Sequence, residues 1–80
     1  MPTPSKHSRH PALTSLGDAI RRRRKAIGLS QEAVAEQAGL DRSYFGQVER
    51  GENSVALLPL AQIARVLNVS LAQLMADAEL

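Results

Sequence analysis

The 80-residue sequence contains no cysteine and no tryptophan, and its only aromatic side chains are one tyrosine and one phenylalanine. No disulfide can staple the chain, and the two histidines, His7 and His10, stand too isolated for a metal site, so no metal or cofactor is expected. A core must therefore be assembled from Leu, Ile, Val and Ala. At this length such a core is marginal by itself, which leaves helix packing and dimerisation as the sources of stability. The N-terminus lacks an apolar h-region, and no run approaches the ~18 residues needed to span a bilayer. Neither secretion nor a membrane partner is expected, and the cytoplasm is the expected location. A nucleophile elbow, a phosphate-binding glycine loop and a metal pair are all missing, so no enzymatic activity is expected. No alternating run argues for a strand and no repeat is present, which predicts an all-α fold.

Charge is present but unevenly placed. Up to Lys25 the chain carries Lys6, Arg9, Arg21, Arg22, Arg23, Arg24 and Lys25 against Asp18 alone, a net charge of +6. The remainder carries Arg42, Arg50 and Arg65 against Glu32, Glu36, Asp41, Glu49, Glu52, Asp77 and Glu79, a net charge of −4. A polyanion would meet the front of the molecule.

Residues 1–12, MPTPSKHSRHPA, hold three prolines and no apolar period, and are expected to form a disordered basic arm. Residues 13–80 are expected to form one domain. Its first helix starts at Thr14 or Ser15, carries Leu16, Ile20 and Ile27 at helical spacing, and ends at Gly28. Residues 30–51 then give two short helices. Ser30 caps the first, with Val34, Ala35 and Ala38 apolar; Gly39 supplies the positive φ of a sharp exit; Asp41 caps the second, with Phe45 and Val48 apolar and Gly51 as its stop. Two helices joined in this way are the pattern of a helix-turn-helix, whose second helix enters the major groove. The polar linker Glu52-Asn53-Ser54 leads to a fourth helix near Leu57 or Leu58, with Pro59 in its first turn and a stripe of Leu57, Leu60, Ile63, Ala64 and Leu67. A fifth begins after Ser70, whose spacing to Gln73 is that of a capping box.

At ~100° per residue, Phe45, Val48 and Glu49 share the inward face of the second motif helix, while Ser43, Gln47 and Arg50 point away and Arg42 projects from its start. The outward set suits base edges: Arg can grip guanine, Gln can grip adenine, and Ser can bond either kind of partner. Glu49, facing inward, needs a cation, and Arg24 is the natural one. Gly46 gives up about 1 kcal/mol of helix propensity relative to Ala, which a close approach of the backbone to a ligand would explain. The run Arg21–Lys25 covers every face of its helix. Both a solvated role and phosphate contacts, with Arg22 the candidate, are open for it. The arm's Lys6, His7, Arg9 and His10 have two open readings as well, a disordered leader or a minor-groove contact.

In combination, Leu16-Gly17-x-x-Ile20-Arg21-x-x-Arg24, Gly28-Leu29-Ser30-Gln31, Ala35, Ala38-Gly39-Leu40, Gln47-Val48-Glu49-x-Gly51, Leu60-x-x-Ile63-Ala64 and Leu67-x-Val69 resemble the Cro and lambda-repressor-like helix-turn-helix family. The resemblance covers residues 16–75 and is closest to short members such as restriction-modification controller proteins. It implies a compact five-helix domain, sequence-specific binding of duplex DNA by a homodimer, and a bacterial or phage-type regulator, possible roles being controller or phage-type repressor. It further implies base reading by Arg42, Ser43 and Gln47, backbone contacts by Gln31, Tyr44 and Arg50, and a partly buried ion pair between Arg24 and Glu49. Arg23 departs from the family, which commonly has an apolar residue there.

The last two helices hold more apolar side chains than one buried stripe requires. Leu58, Val66, Leu71, Leu74 and Met75 are the candidates for a two-fold interface. The alternative is an antitoxin-like or other protein-interaction module whose apolar C-terminal surface binds a different protein. RNA polymerase is a further candidate partner, with Glu32 and Glu36 as the groups that would face it.

Overall fold

The computed structural model describes residues 9–80, which form five helices and no strand: α1 (Pro11–Ala26), α2 (Gln31–Ala38), α3 (Arg42–Glu49), α4 (Leu57–Val66) and α5 (Leu71–Asp77). Lys6 and His7 lie outside the described residues. Helix α1 starts at Pro11 and not at Thr14 or Ser15, which shortens the expected arm. Proline fits there because its preset φ suits the first helical position and its missing N–H would have had no partner anyway. His10 acts as the cap, its Nδ1 accepting from the Ala12 N–H at 3.1 Å.

Three helix starts use the side chains their sequences advertise. Ser30, Asp41 and Ser70 accept from the backbone N–H groups of Ala33, Ser43 and Gln73. The capping box at Ser70 is only half made, because the Gln73 amide turns to Asp77 Oδ1 at 2.9 Å. All five helices stop by one device. An N–H returns five residues back, from Leu29 to Arg24, Leu40 to Ala35, Glu52 to Gln47, Val69 to Ala64 and Leu80 to Met75. The residue before each of those donors takes positive φ. Glycine fills that place in the first three stops, and Asn68 and Glu79 in the last two.

Helix α1 packs against α3 and α5, α2 against α3 and α4, and α4 against α5. Their shared centre is filled by Phe45, Ile20, Ile63, Leu74 and Val34, all fully buried. Each contributes about 1.5–3 kcal/mol by leaving water. No single helix among the described residues is long and apolar enough to cross a membrane; α4 and α5 qualify only as a pair, and they meet at 89°.

Three apolar assignments differ from the sequence reading. Leu74 belongs to the core and not to a surface, because on α5 it is Leu74 and Ala78, one turn apart, that face α1 and α4. Leu57, placed on the inward stripe, is 71% exposed, since the stripe is set by Leu60, Ile63, Ala64 and Leu67 and the helix has only just begun at Leu57. Ile27 is 46% exposed because it caps α1 and has left the helical phase. Val66, Leu71 and Met75 are half-buried against the core, so of the interface candidates only Leu58, at 68%, is fully exposed.

Gly17 is where α1 and α3 touch. A methyl group added there would lie 2.6 Å from the Val48 carbonyl oxygen, a backbone atom that cannot swing aside. Gly17→Ala is therefore expected to destabilise the fold by about 1–3 kcal/mol despite the better helix propensity of alanine, read as a lower urea midpoint with an unchanged slope.

Arg23 ties α1 to α5. Its Nε and Nη2 meet the two carboxylate oxygens of Asp77 at 2.5 and 3.1 Å. Hydrogen bonds from Arg23 and then Gln73 hold the Asp77 carboxyl below the usual carboxylate range, and the same bond raises the pKa of Arg23. The charge of Arg23 is thus accounted for by an acid on α5.

Candidate nucleic-acid interface

The position of α3 is set by one carboxylate. Glu49 faces inward at the end of α3, and Arg24 of α1 grips it with two bonds, Nε to Oε2 at 2.6 Å and Nη2 to Oε1 at 3.1 Å. The third arm of the same guanidinium donates to the Leu29 carbonyl at 3.0 Å. Gln31, at the first position of α2, adds a bond from Nε2 to Glu49 Oε1 at 2.9 Å. Three helices thereby meet at one group, both carboxylate oxygens accept hydrogen bonds, and no buried side-chain polar atom among the described residues lacks a partner.

The opposite face of α3 is free for a ligand. Arg42 and Ser43 are exposed at its start, and neither side chain bonds to another among the described residues. Tyr44 is half-buried and packs against the core cluster, leaving its edge at the margin. Gln47 is half-buried and accepts a hydrogen bond from Asn53. A short helix presenting an arginine and small polar groups, pinned from behind by a buried ion pair and flanked by a second helix N-terminus, is built to meet a polar, anionic surface as a rigid unit.

A helix-turn-helix family profile matches residues 20–74. Control protein C.SmaI from Serratia marcescens is 43% identical over 60 residues, which are 75% of this chain and 71% of that protein. The chain belongs to the helix-turn-helix family, among its controller-type regulators. The restriction-modification controller protein C.AhdI from Aeromonas hydrophila superimposes with a TM-score of 0.76 at 44% identity, over 78% of this chain and 94% of that one. C.Esp1396I bound to a 25 base pair operator site superimposes with a TM-score of 0.77 at 26% identity, over 85% of this chain and 90% of that one.

Within the helix-turn-helix, several assigned side chains are engaged in ways that spacing does not reveal. Gln31, assigned to a phosphate, has turned its amide inward to Glu49, which leaves the backbone N–H groups at the start of α2 as the donors facing outward. Arg50 pairs through Nε with Glu52 Oε1 at 3.1 Å, and Arg9 meets the other oxygen of that carboxylate at 2.9 Å. Glu52 thus holds two cations beside the end of α3. Arg22 is not on this surface. It lies about 160° around α1 from Arg24, bonded to Asp18 Oδ2 at 2.9 Å and to the Asp77 carbonyl at 3.2 Å, on the α5 side. A backbone contact by Arg22 would therefore have to be made from the α5 side of α1. Gly46 is likewise explained from within the fold, because a Cβ there would sit 3.1 Å from Arg50 Nη1 and 3.7 Å from Gln31 Oε1. The glycine gives the Arg50 guanidinium room beside α3.

Two residues of this surface escaped sequence reasoning. Glu52 and Asn53 read as a polar linker, yet the Gly51 stop returns the Glu52 N–H to the Gln47 carbonyl at 2.9 Å and so lays the linker over the last turn of α3. The stop was legible, and it was the signal from which that return could have been read.

Proposed function

We propose that this chain is a transcription regulator that reads duplex DNA with α3, as a two-fold dimer on an inverted-repeat operator. The observation that carries the reading is the division of α3 into a face locked by Arg24, Gln31 and Glu49 and an outward face bearing Arg42, Ser43 and Gln47. Arg42 is positioned to grip a guanine, Ser43 and Gln47 to bond neighbouring edges, and Arg50 and Tyr44 to meet the sugar-phosphate backbone. Similarity to an operator-bound controller supports the same docking. Exposed Leu57 and Leu58, with half-buried Val66, Leu71 and Met75, supply the apolar surface for the second copy. Each copy then places one α3 in successive major grooves, with half-site centres roughly 34–36 Å or about 10 base pairs apart.

Selection of bound duplexes from a random library tests the whole reading, because the consensus gives half-site, spacing and symmetry together. Arg42→Ala and Gln47→Ala are each expected to weaken binding to the selected site by about 1–3 kcal/mol and to relax preference at one position of the half-site, with a smaller change on unrelated DNA. Variants that keep the parent's preference at every position would remove these residues from the reading surface.

A further inference from the structure

The start of α1 is seated on the stop of α3. The Arg9 N–H donates to the Gly51 carbonyl at 2.5 Å, and a Cβ on Gly51 would meet the Thr14 backbone at 2.9 Å, so the two segments lie backbone against backbone. That seat brings Arg9 to the carboxylate of Glu52, its Nη2 2.9 Å from Oε2, while Arg50 Nε stands 3.1 Å from Oε1. One carboxylate thus bridges two guanidiniums from different segments. The guanidinium side chains stay open to solvent at 67% and 53%, whereas the glutamate between them keeps only 25%. Arg50 Nη1 also lies against α3 at Gly46, where Gln31, the first residue of α2, approaches the same point. Arg50 therefore neighbours the start of α2 with one nitrogen and Glu52 with another, and Arg9 takes the far oxygen of that carboxylate.

Building on the DNA-reading assignment, we propose that Arg9 and Arg50 form a clamp for a backbone phosphate of the duplex, and that Glu52 is the internal anion filling this clamp in the free chain. A phosphodiester offers what the carboxylate offers, two oxygens sharing one negative charge, and it suits the same donors. Docking exchanges one anion for the other. Each arginine keeps a charged acceptor, but Glu52 is released as a carboxylate beside the DNA. That acid lowers affinity for every duplex alike, because a phosphate contact carries no sequence information. Of the basic residues ahead of α1, Arg9 is thereby assigned to the DNA backbone at the end of α3, and His10 is taken up as the cap of α1.

The test is DNA titration over a salt series with the full chain carrying Glu52→Gln, Glu52→Gln together with Arg9→Ala, or Glu79→Gln, beside the parent, on the selected site and on an unrelated duplex. Glu52→Gln removes the competing charge at constant size and is expected to tighten binding to both duplexes by about threefold to tenfold, the worth of one or two half-exposed charge pairs. The preferred sequence stays the parent's. The slope of log affinity against log salt becomes steeper by about one, since one more cation is left to neutralise phosphate. Adding Arg9→Ala is expected to remove most of the gain. Glu79, exposed beyond α5, makes the same change in net charge and should move affinity by less than about twofold. Binding by Glu52→Gln no tighter than the parent's would make the three side chains a structural tie and overturn this inference alone. A gain that survives Arg9→Ala, or one that Glu79→Gln matches, overturns it as well. A parent that binds neither duplex overturns the DNA-reading assignment and this inference with it.

Discussion

Leu74→Glu is expected to unfold the domain outright. The side chain is fully buried where α5 packs against α1 and α4, so the carboxylate would lose its water with no cation placed to receive it. Removing the leucine contacts alone costs about 2–5 kcal/mol at a buried site, and domains of this size sit toward the low end of a total of about 5–15 kcal/mol. Far-UV circular dichroism should show lost helicity at 25 °C and no cooperative urea transition. Leu58→Glu is the contrasting variant. At 68% exposure its side chain is solvated, so the monomer should keep its stability to within about 0.5 kcal/mol while sedimentation reports whether the proposed dimer forms. A folded, cooperative Leu74→Glu would mean that α5 is docked the other way round.

Truncating either member of the Arg24–Glu49 pair should cost about 3–5 kcal/mol, because the partner is left charged in a site where only 11% of the arginine and 2% of the glutamate side chain reach solvent. Arg24→Lys should recover little of that loss. A lysine has no planar fork, and the wild-type guanidinium spends three nitrogens on two different acceptors, the carboxylate and the Leu29 carbonyl. Replacing both residues by apolar ones of similar volume should cost less than either truncation, since no orphaned charge remains. Urea titrations of the two single variants and the double variant make the cycle. Single-variant losses below about 0.5 kcal/mol would put the pair in the class of exposed ion pairs.

The helices were legible because their ends are written in local chemistry. Ser30, Asp41 and Ser70 start helices, and Gly28, Gly39 and Gly51 stop them, through bonds that reach no further than five residues. The inward position of Glu49 was legible from helical phase, and its need for a cation from the cost of burying a charge. What spacing could not say was which side of α5 docks, since that helix has only two turns and carries Leu71, Leu74 and Met75 on overlapping arcs. Nor could it pair Arg23 with Asp77 or Arg9 with Glu52, partners brought together by tertiary structure alone. The start of α1 was misplaced because proline in a proline-containing leader resembles a breaker, and because histidine is an unusual cap.

The division of α3 between a locked face and a reading face has a consequence for how such a regulator changes its target over generations. Arg42 and Ser43 hold nothing in place, so under the proposed reading exchanging them alters which sequence is recognised while moving stability by only a few tenths of a kcal/mol, as is usual for solvent-facing sites. Drift at Arg24, Gln31 or Glu49 instead removes a partner from a buried network and is purged as misfolding before any new target can be tried. Retargeting on the outward face of α3 is thus cheap, while mispositioning through the network behind it is lethal. That is the arrangement by which one scaffold can serve many operators without renegotiating its fold.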